Sequence, residues 1–275
     1  MKKSYYFLSF LVLSLAFFSC GGKVEVNQPE KKPLGIQAKK DSAITDASFA
    51  EKVEATHKKS LFVSKELVNF DLDLWFGGNK RMECQITMSP DFSRIRMELS
   101  DGKVLIYDGE EVYQMGDTTE YKTARFDIFT WPYFFAFPFK LTDPGTNWEN
   151  TTYYSLNGRP YASKKLTFDA GVGDAPDDWY IAYADKESYR LYAAAYIVTM
   201  GRDQEKAEED PHAITYENYQ MVEGVPIATQ WGFWGWDGDQ GLTKKLGQAE
   251  ISNIAFLPMN EALFEAERPM KKIEK

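Results

Sequence analysis

"VNFDLDLWF", residues 68–76, alternates apolar and polar side chains. Val68, Phe70, Leu72, Leu74 and Phe76 fall on one side of an alternating pattern, and Asn69, Asp71 and Asp73 fall on the other. A period of two belongs to an extended chain with one face buried and the other wet. The run closes at Gly77-Gly78-Asn79, residues suited to a tight turn.

The same period returns in "RMECQITM", where Met82, Cys84, Ile86 and Met88 alternate with polar residues, and in "RIRMEL", which carries Met97. It continues through "KVLIYDG" and "EEVYQM", with turns at Ser89-Pro90-Asp91, Asp101-Gly102 and Asp108-Gly109. Connections this short join antiparallel neighbours and leave no room for βαβ crossovers. The second half adds "TTYYSLNGRPYASKKLTFDA" with an Asn157-Gly158 turn, and "DDWYIAYADKESYRLYAAAYIV" turning at Asp185-Lys186-Glu187. A pair turning at Glu223-Gly224 and a last strand in "KKLGQAEISNIAF" follow. The total is about ten or eleven strands, a number that an open sheet accommodates by curling. The tail "EAERPMKKIEK" is charged and reads as frayed.

Before the strands, residues 43–59 are rich in Ala, Glu and Lys, with Ile44, Ala47, Val53 and Ala55 on one face. This reads as an amphipathic helix capped by Thr45 or Asp46. Further upstream, Met1-Lys2-Lys3 precedes an apolar run from Tyr5 to Phe18, the layout of a signal peptide over residues 1–19. Ser19-Cys20-Gly21-Gly22 resembles a bacterial lipobox, which makes Cys20 the lipid-bearing mature N-terminus. A plain secretory signal with an incidental cysteine is the alternative. Residues 20–42 are of mixed charge and lack aromatics, so they read as a flexible tether, and residues 43–275 read as one domain.

The formal charge is −9, and removing Lys2 and Lys3 with the leader makes the chain more acidic still. Such a surface suits neither nucleic acid nor electrostatic adhesion to anionic lipid, so membrane contact falls to the acyl chains on Cys20. With Cys20 modified, Cys84 has no partner for a disulfide, and its alternating neighbours make it a small core residue.

Between the two groups of strands lies "FTWPYFFAFPFK", residues 129–140, with seven aromatic rings and two prolines. The run is too short to cross a membrane and is closed by Lys140 and Asp143. A core segment or a lid over an apolar cavity remain. The order of elements resembles that of the lipoprotein-localisation carrier and receptor family, LolA and LolB, and of related Gram-negative lipoproteins. Val104 to Tyr113, the Asp185-to-Ser188 turn and the "VEGVP" turn at 222–226 carry the local likeness. The resemblance implies a mainly β fold, a single antiparallel half-open barrel with an N-terminal helix and a mid-chain helical lid. It also implies a hydrophobic ligand, either a lipid or lipoprotein acyl chains, held in the barrel. The residues expected to line that cavity are Phe70, Leu72, Leu74, Met82, Ile86 and Met97 from the strands and Trp131, Phe134, Phe135 and Phe137 from the lid. Trp231 and Phe233 are expected to join them from a later strand.

Little points to catalysis or to a cofactor. His57 reads as a helix-end or exposed residue. Glu208, Glu209, Asp210 and His212 read as a solvated turn and not a metal site. Asp237-Gly238-Asp239-Gln240-Gly241 lacks the ligand spacing of a calcium loop. No constellation for a hydrolase is visible. A structural or glycan-binding envelope protein with a filled barrel is the competing expectation, since "WGFWGW", residues 231–236, offers flat rings for sugars.

Overall fold

The computed structural model describes residues 46–116, 119–267 and 269–274, so Cys20, the leader, the tether and the Thr45 cap lie outside the described residues. The chain begins with helices α1 (Asp46–Thr56) and α2 (Lys59–Phe62). Strands β1 (Leu67–Phe76), β2 (Asn79–Met88), β3 (Ile95–Leu99), β4 (Lys103–Tyr107) and β5 (Val112–Gly116) follow. Helix α3 (Ala124–Ala136) continues into a short 3-10 turn, Phe137–Phe139. Then come β6 (Thr146–Asn150), β7 (Ser155–Leu156), β8 (Arg159–Pro160), β9 (Ala162–Phe168), β10 (Tyr180–Ala184) and β11 (Leu191–Tyr196). A short helix α4 (Gln204–Glu208), β12 (His212–Val222), β13 (Val225–Asp237), β14 (Gly241–Leu257) and β15 (Met270–Ile273) complete the described chain.

Thirteen strands form one antiparallel sheet in the order β15-β5-β4-β3-β2-β1-β14-β13-β12-β11-β10-β9-β6, and β7 and β8 pair separately. The two ends of this order are not bonded to each other, so the sheet is a curled, open half-barrel, mainly β as expected. Two strands exceed the sequence reading. β6 comes from "TNWEN", which has no alternation, and β15 comes from the tail, which pairs Met270–Ile273 with Val112–Met115 instead of fraying. Edge pairing satisfies backbone groups whatever the side chains are, and hydrophobic periodicity does not report it.

Residues 68–76 behave as read: Val68, Phe70, Leu72 and Leu74 are fully buried, and their polar neighbours are half-buried. Turns at Gly77-Gly78, Asn157-Gly158 and Glu223-Gly224 all place both central residues at positive φ. That is the geometry whose twist matches the flanking strands of a hairpin. At Gly247 the backbone of β14 crosses β1 so closely that a Cβ would lie 2.4 Å from the Trp75 carbonyl oxygen. Only glycine fits there.

Helix α1 docks with a different face from the one expected. Phe49, Ala50, Val53, Glu54 and His57 are buried, whereas Ala55 is exposed. The buried Glu54 carboxylate accepts from the Thr142 amide and hydroxyl, each at 2.7 Å, and from Lys59 at 2.9 Å. It thereby closes the chain that leaves the 3-10 turn. His57 is likewise a core residue and not an exposed cap: the turn at Lys58, with φ of 60°, tucks its ring against Tyr219 and Phe139.

The aromatic segment forms α3, which begins at Ala124 and passes straight through Pro132. A helix that is apolar on nearly every side must be surrounded, and this one fills the concave face of the sheet. Phe135 meets Phe70 of β1, Phe129 meets Tyr107 of β4, Phe134 meets Tyr196 of β11 and Trp131 meets Phe233 of β13. The convex face of β10, β11 and β13 carries its own cluster, in which Tyr183, Trp179 and Trp236 pack under α4 and the β7–β8 hairpin. Buried on both faces, β10 and β11 use the small Ala193-Ala194-Ala195 run where two layers press in.

Candidate functional site

Helix α3 has two faces with different tasks. Ala124, Asp127, Ile128, Trp131 and Phe135, spaced at helical intervals, turn toward β1, β2 and β13 and are buried. Arg125, Phe126, Phe129, Thr130, Tyr133 and Phe134 form the other face and border a cavity of about 650 Å3. That volume lies within the range of small-molecule sites, about 300–1,000 Å3. The far wall is Phe168 of β9, Tyr180 of β10, Tyr196 of β11, and Val198 and Met200 beyond it. Phe92, Tyr107, Glu110, Lys140, Asp143 and the 171–175 loop lie along the rim.

The inner face of α3 is locked by Asp127, which is fully buried. Its carboxylate takes hydrogen bonds from the Trp131 indole, the Tyr121 hydroxyl and the Thr123 hydroxyl, all at 2.7 Å, and pairs with Arg81 of β2 at 2.8 Å. A buried charge so fully partnered is tolerated, and its place in the first turn suits the helix dipole. The Arg81 guanidinium also covers the Trp131 ring at 5.4 Å.

At the mouth, Arg125 makes a two-pronged pair with Asp174, Nε to Oδ2 at 2.8 Å and Nη2 to Oδ1 at 2.6 Å. This ties the helix to the loop that leads into β10. Lys140 pairs with Asp143 and lies 4.9 Å above the Phe92 ring. Deeper in, Asp178 accepts from the Thr199 amide at 2.7 Å and hydroxyl at 2.8 Å through one oxygen, Oδ1. Burial pushes this carboxyl up to about 6. Burial likewise raises the phenols of Tyr133, Tyr180 and Tyr196 above the usual tyrosine range, so the cavity holds neutral hydroxyls. The arrangement can surround an apolar body and offers it several polar groups.

Of the twelve expected cavity residues, Phe134 borders this space. Phe70, Leu72, Leu74, Met82, Ile86 and Met97 are inside the sheet as expected but are packed as core, because the inner face of α3 occupies the volume they were expected to enclose. Trp131, Phe137 and Phe233 are in the same core, and Phe135 and Trp231 border a separate pocket of about 10 Å3, no more than the space of one water. Sequence reasoning missed Tyr180, Tyr196, Asp178 and Arg125. The register pairs Tyr180 directly with Tyr196, which the Asp185 turn signals, but an irregularity between Tyr183 and Ala184 offsets the count.

The weaker candidates resolve simply. His212 begins β12, stacks on Tyr196 and has Asp210 at 3.8 Å, while Glu208 turns to Trp179. Among the described residues no three His, Cys, Asp or Glu side chains converge as a metal site. Asp237 caps its own turn through the Asp239 and Gln240 amides. Cys84 is buried, and its thiol is pushed up by desolvation. Among the described residues no helix is long and apolar enough to cross a membrane.

Fold and site together define an open antiparallel half-barrel plugged by an aromatic helix, with a cavity left on the outer side of the plug. This is a LolA-like fold. The chain is similar to a LolA superfamily protein from Nitrosomonas europaea, with a TM-score of 0.54 and 12% identity over 82% of this chain and 99% of that one. It also matches an outer membrane lipoprotein-sorting protein domain from Vibrio parahaemolyticus, at a TM-score of 0.48 and 10% identity over 78% of this chain and 97% of that one. The fold assignment rests on the first. No family model and no curated protein matches the sequence.

Proposed function

We propose that this chain is a lipid-anchored protein of the cell envelope, attached through Cys20, that holds a hydrophobic ligand in the α3 cavity. The ligand is a lipid or the acyl chains of a lipoprotein. The observation that carries the reading is the cavity of about 650 Å3 walled by Phe126, Phe129, Phe134 and Phe168. Burying roughly 300 Å2 of alkyl surface there stabilises a complex by about 7 kcal/mol before the costs of association. The role is binding, not turnover. The envelope location rests on the leader and on Ser19-Cys20.

The filled-barrel alternative draws on the packing of the central core. Its glycan-binding form has less support, since Trp231 and Trp236 are buried on opposite faces of the sheet and Trp234 alone of the three is half-buried.

The test is mass spectrometry of organic extracts from the full-length chain purified without detergent, beside Thr130→Trp, which fills the cavity from α3. An apolar molecule in near-stoichiometric amount, lost from the folded variant, is the expected result. A clean extract from folded wild-type protein overturns the reading.

A further inference from the structure

The walls of the cavity are apolar, but its polar groups are unevenly matched. Both lining cations are already neutralised, Arg125 by the two-pronged bond to Asp174 and Lys140 by Asp143. Arg202, whose charge acts on Asp178, directs its Nε to the Val198 carbonyl at 2.6 Å. Asp178 has no such partner. Its Oδ1 is held by Thr199, while its Oδ2 bonds to no described residue. Tyr180 and Tyr196 are each only 7% exposed, and both border the cavity. Their hydroxyls, too, donate to no described residue. Asp178, Tyr180 and its register partner Tyr196 thus bring a carboxylate oxygen and two phenols without protein partners to the cavity wall, and Glu110 adds a second lining carboxylate that no cation pairs among the described residues.

We propose that the cavity selects by head group, taking a single-chain amphiphile that ends in an ammonium group, with Asp178 and the hydroxyls of Tyr180 and Tyr196 around the nitrogen. The assignment rests on the proposed ligand-binding reading and narrows it. An ammonium supplies several N–H donors and a positive charge, the complement of carboxylate and phenolic oxygens. An alcohol supplies one donor and no charge. A carboxylate or phosphate head would meet Asp178 as a like charge, with Arg125 and Lys140 already engaged, and would leave its own oxygens poorly paired. Desolvation raises the carboxyl of Asp178 even with the charge of Arg202 acting on it, and its own charge reaches Tyr133, Tyr180 and Tyr196 alike.

The test is displacement of Nile red from the full-length chain at neutral pH by dodecylammonium, dodecanol and dodecanoate, each below its micelle-forming concentration. Dodecylammonium is expected to bind roughly tenfold or more tightly than dodecanoate, the worth of one hydrogen bond to a charged group, with dodecanol between them. Asp178→Asn should collapse this preference, weakening dodecylammonium far more than dodecanol. Tyr196→Phe, which keeps the ring, should weaken dodecylammonium by about threefold or more. Equal or tighter binding of dodecanoate, or a preference that survives Asp178→Asn, overturns the head-group assignment while leaving the apolar cavity intact. Failure of all three chains to displace the dye overturns the cavity reading itself.

Discussion

The ring of Phe70 on β1 and the ring of Phe135 on α3 stack face to face, with centroids 4.1 Å apart and planes 7° from parallel. The contact fastens the plug helix to the centre of the sheet, and Phe62 leans on the same ring from α2. Phe135→Ala is expected to lower unfolding free energy in urea by about 3–5 kcal/mol, the cost of a large cavity in a packed core. Tyr180→Phe, which removes a hydroxyl without a protein partner, should leave stability within about 0.5 kcal/mol of wild type or raise it. A Phe135→Ala cost below about 1 kcal/mol would mean that the helix is a loosely seated lid and not core.

Asp127 and Arg81 hold the start of the same helix. Asp127→Ala leaves the Arg81 charge and the Trp131 indole without their partner, so a loss of about 3–5 kcal/mol is expected. In a double-mutant cycle with Arg81→Met the two losses should fall short of adding by about 1 kcal/mol or more, since they remove one shared interaction. Simple additivity in thermal or urea unfolding would count against the pair as a unit.

How far the sequence carries the fold can be followed through these residues. The alternation of Val68, Phe70, Leu72 and Leu74 is a local property, and it specified both the strand and its buried face. The turns at Gly77-Gly78 and Glu223-Gly224 were equally local. The cavity is not. It is the space left after α3 has seated, and its walls come from the back of that helix, from the 171–175 loop and from single residues such as Phe168 and Met200. No periodicity links such residues, whereas the residues with the strongest pattern are the ones that pack completely. The burial of His57 was hidden for the same reason, since a strand far along the chain covers a helix end.

The Arg125–Asp174 pair joins α3 to the loop at the cavity mouth, with both side chains mostly shielded. Asp174→Asn weakens that tie without touching the apolar walls. Stability should fall by about 1–3 kcal/mol, the range of a hydrogen bond to a charged group in a mostly shielded pair. Nile red should enter and leave faster in stopped-flow fluorescence, with little change at equilibrium. Unchanged rates would show that the loop does not control access.

His57 and Asp178 predict a dependence on pH in which a buried imidazole and a half-buried carboxyl oppose each other. Burial, helped by the charge of Arg190, holds His57 down at about 4 against an ordinary 6.5. Its Nδ1 donates to the Val53 carbonyl at 2.8 Å, and its Nε2 lies 3.3 Å from the Tyr219 hydroxyl, whose single proton goes to the Leu191 carbonyl at 2.8 Å. Between those two pKa values the unfolded chain takes up a proton that the folded chain refuses, so stability falls with pH from about 6.5 to about 4, by roughly 3 kcal/mol in all. Asp178 runs the other way. Raised by burial from 3.8 to about 6, it keeps its proton in the folded state where the unfolded chain gives it up. Its contribution is fully present at low pH and is lost as pH rises through about 6. Because water reaches this carboxyl through the cavity, a smaller figure of about 2 kcal/mol is appropriate. Wild-type protein should therefore show only a shallow loss of urea stability on acidification through this window. Asp178→Asn should steepen it toward about 3 kcal/mol, and adding His57→Gln should flatten it again. If Asp178→Asn follows the wild-type curve, the two groups are not opposed as described, and a His57 titration near its ordinary value by NMR would locate the error in the imidazole.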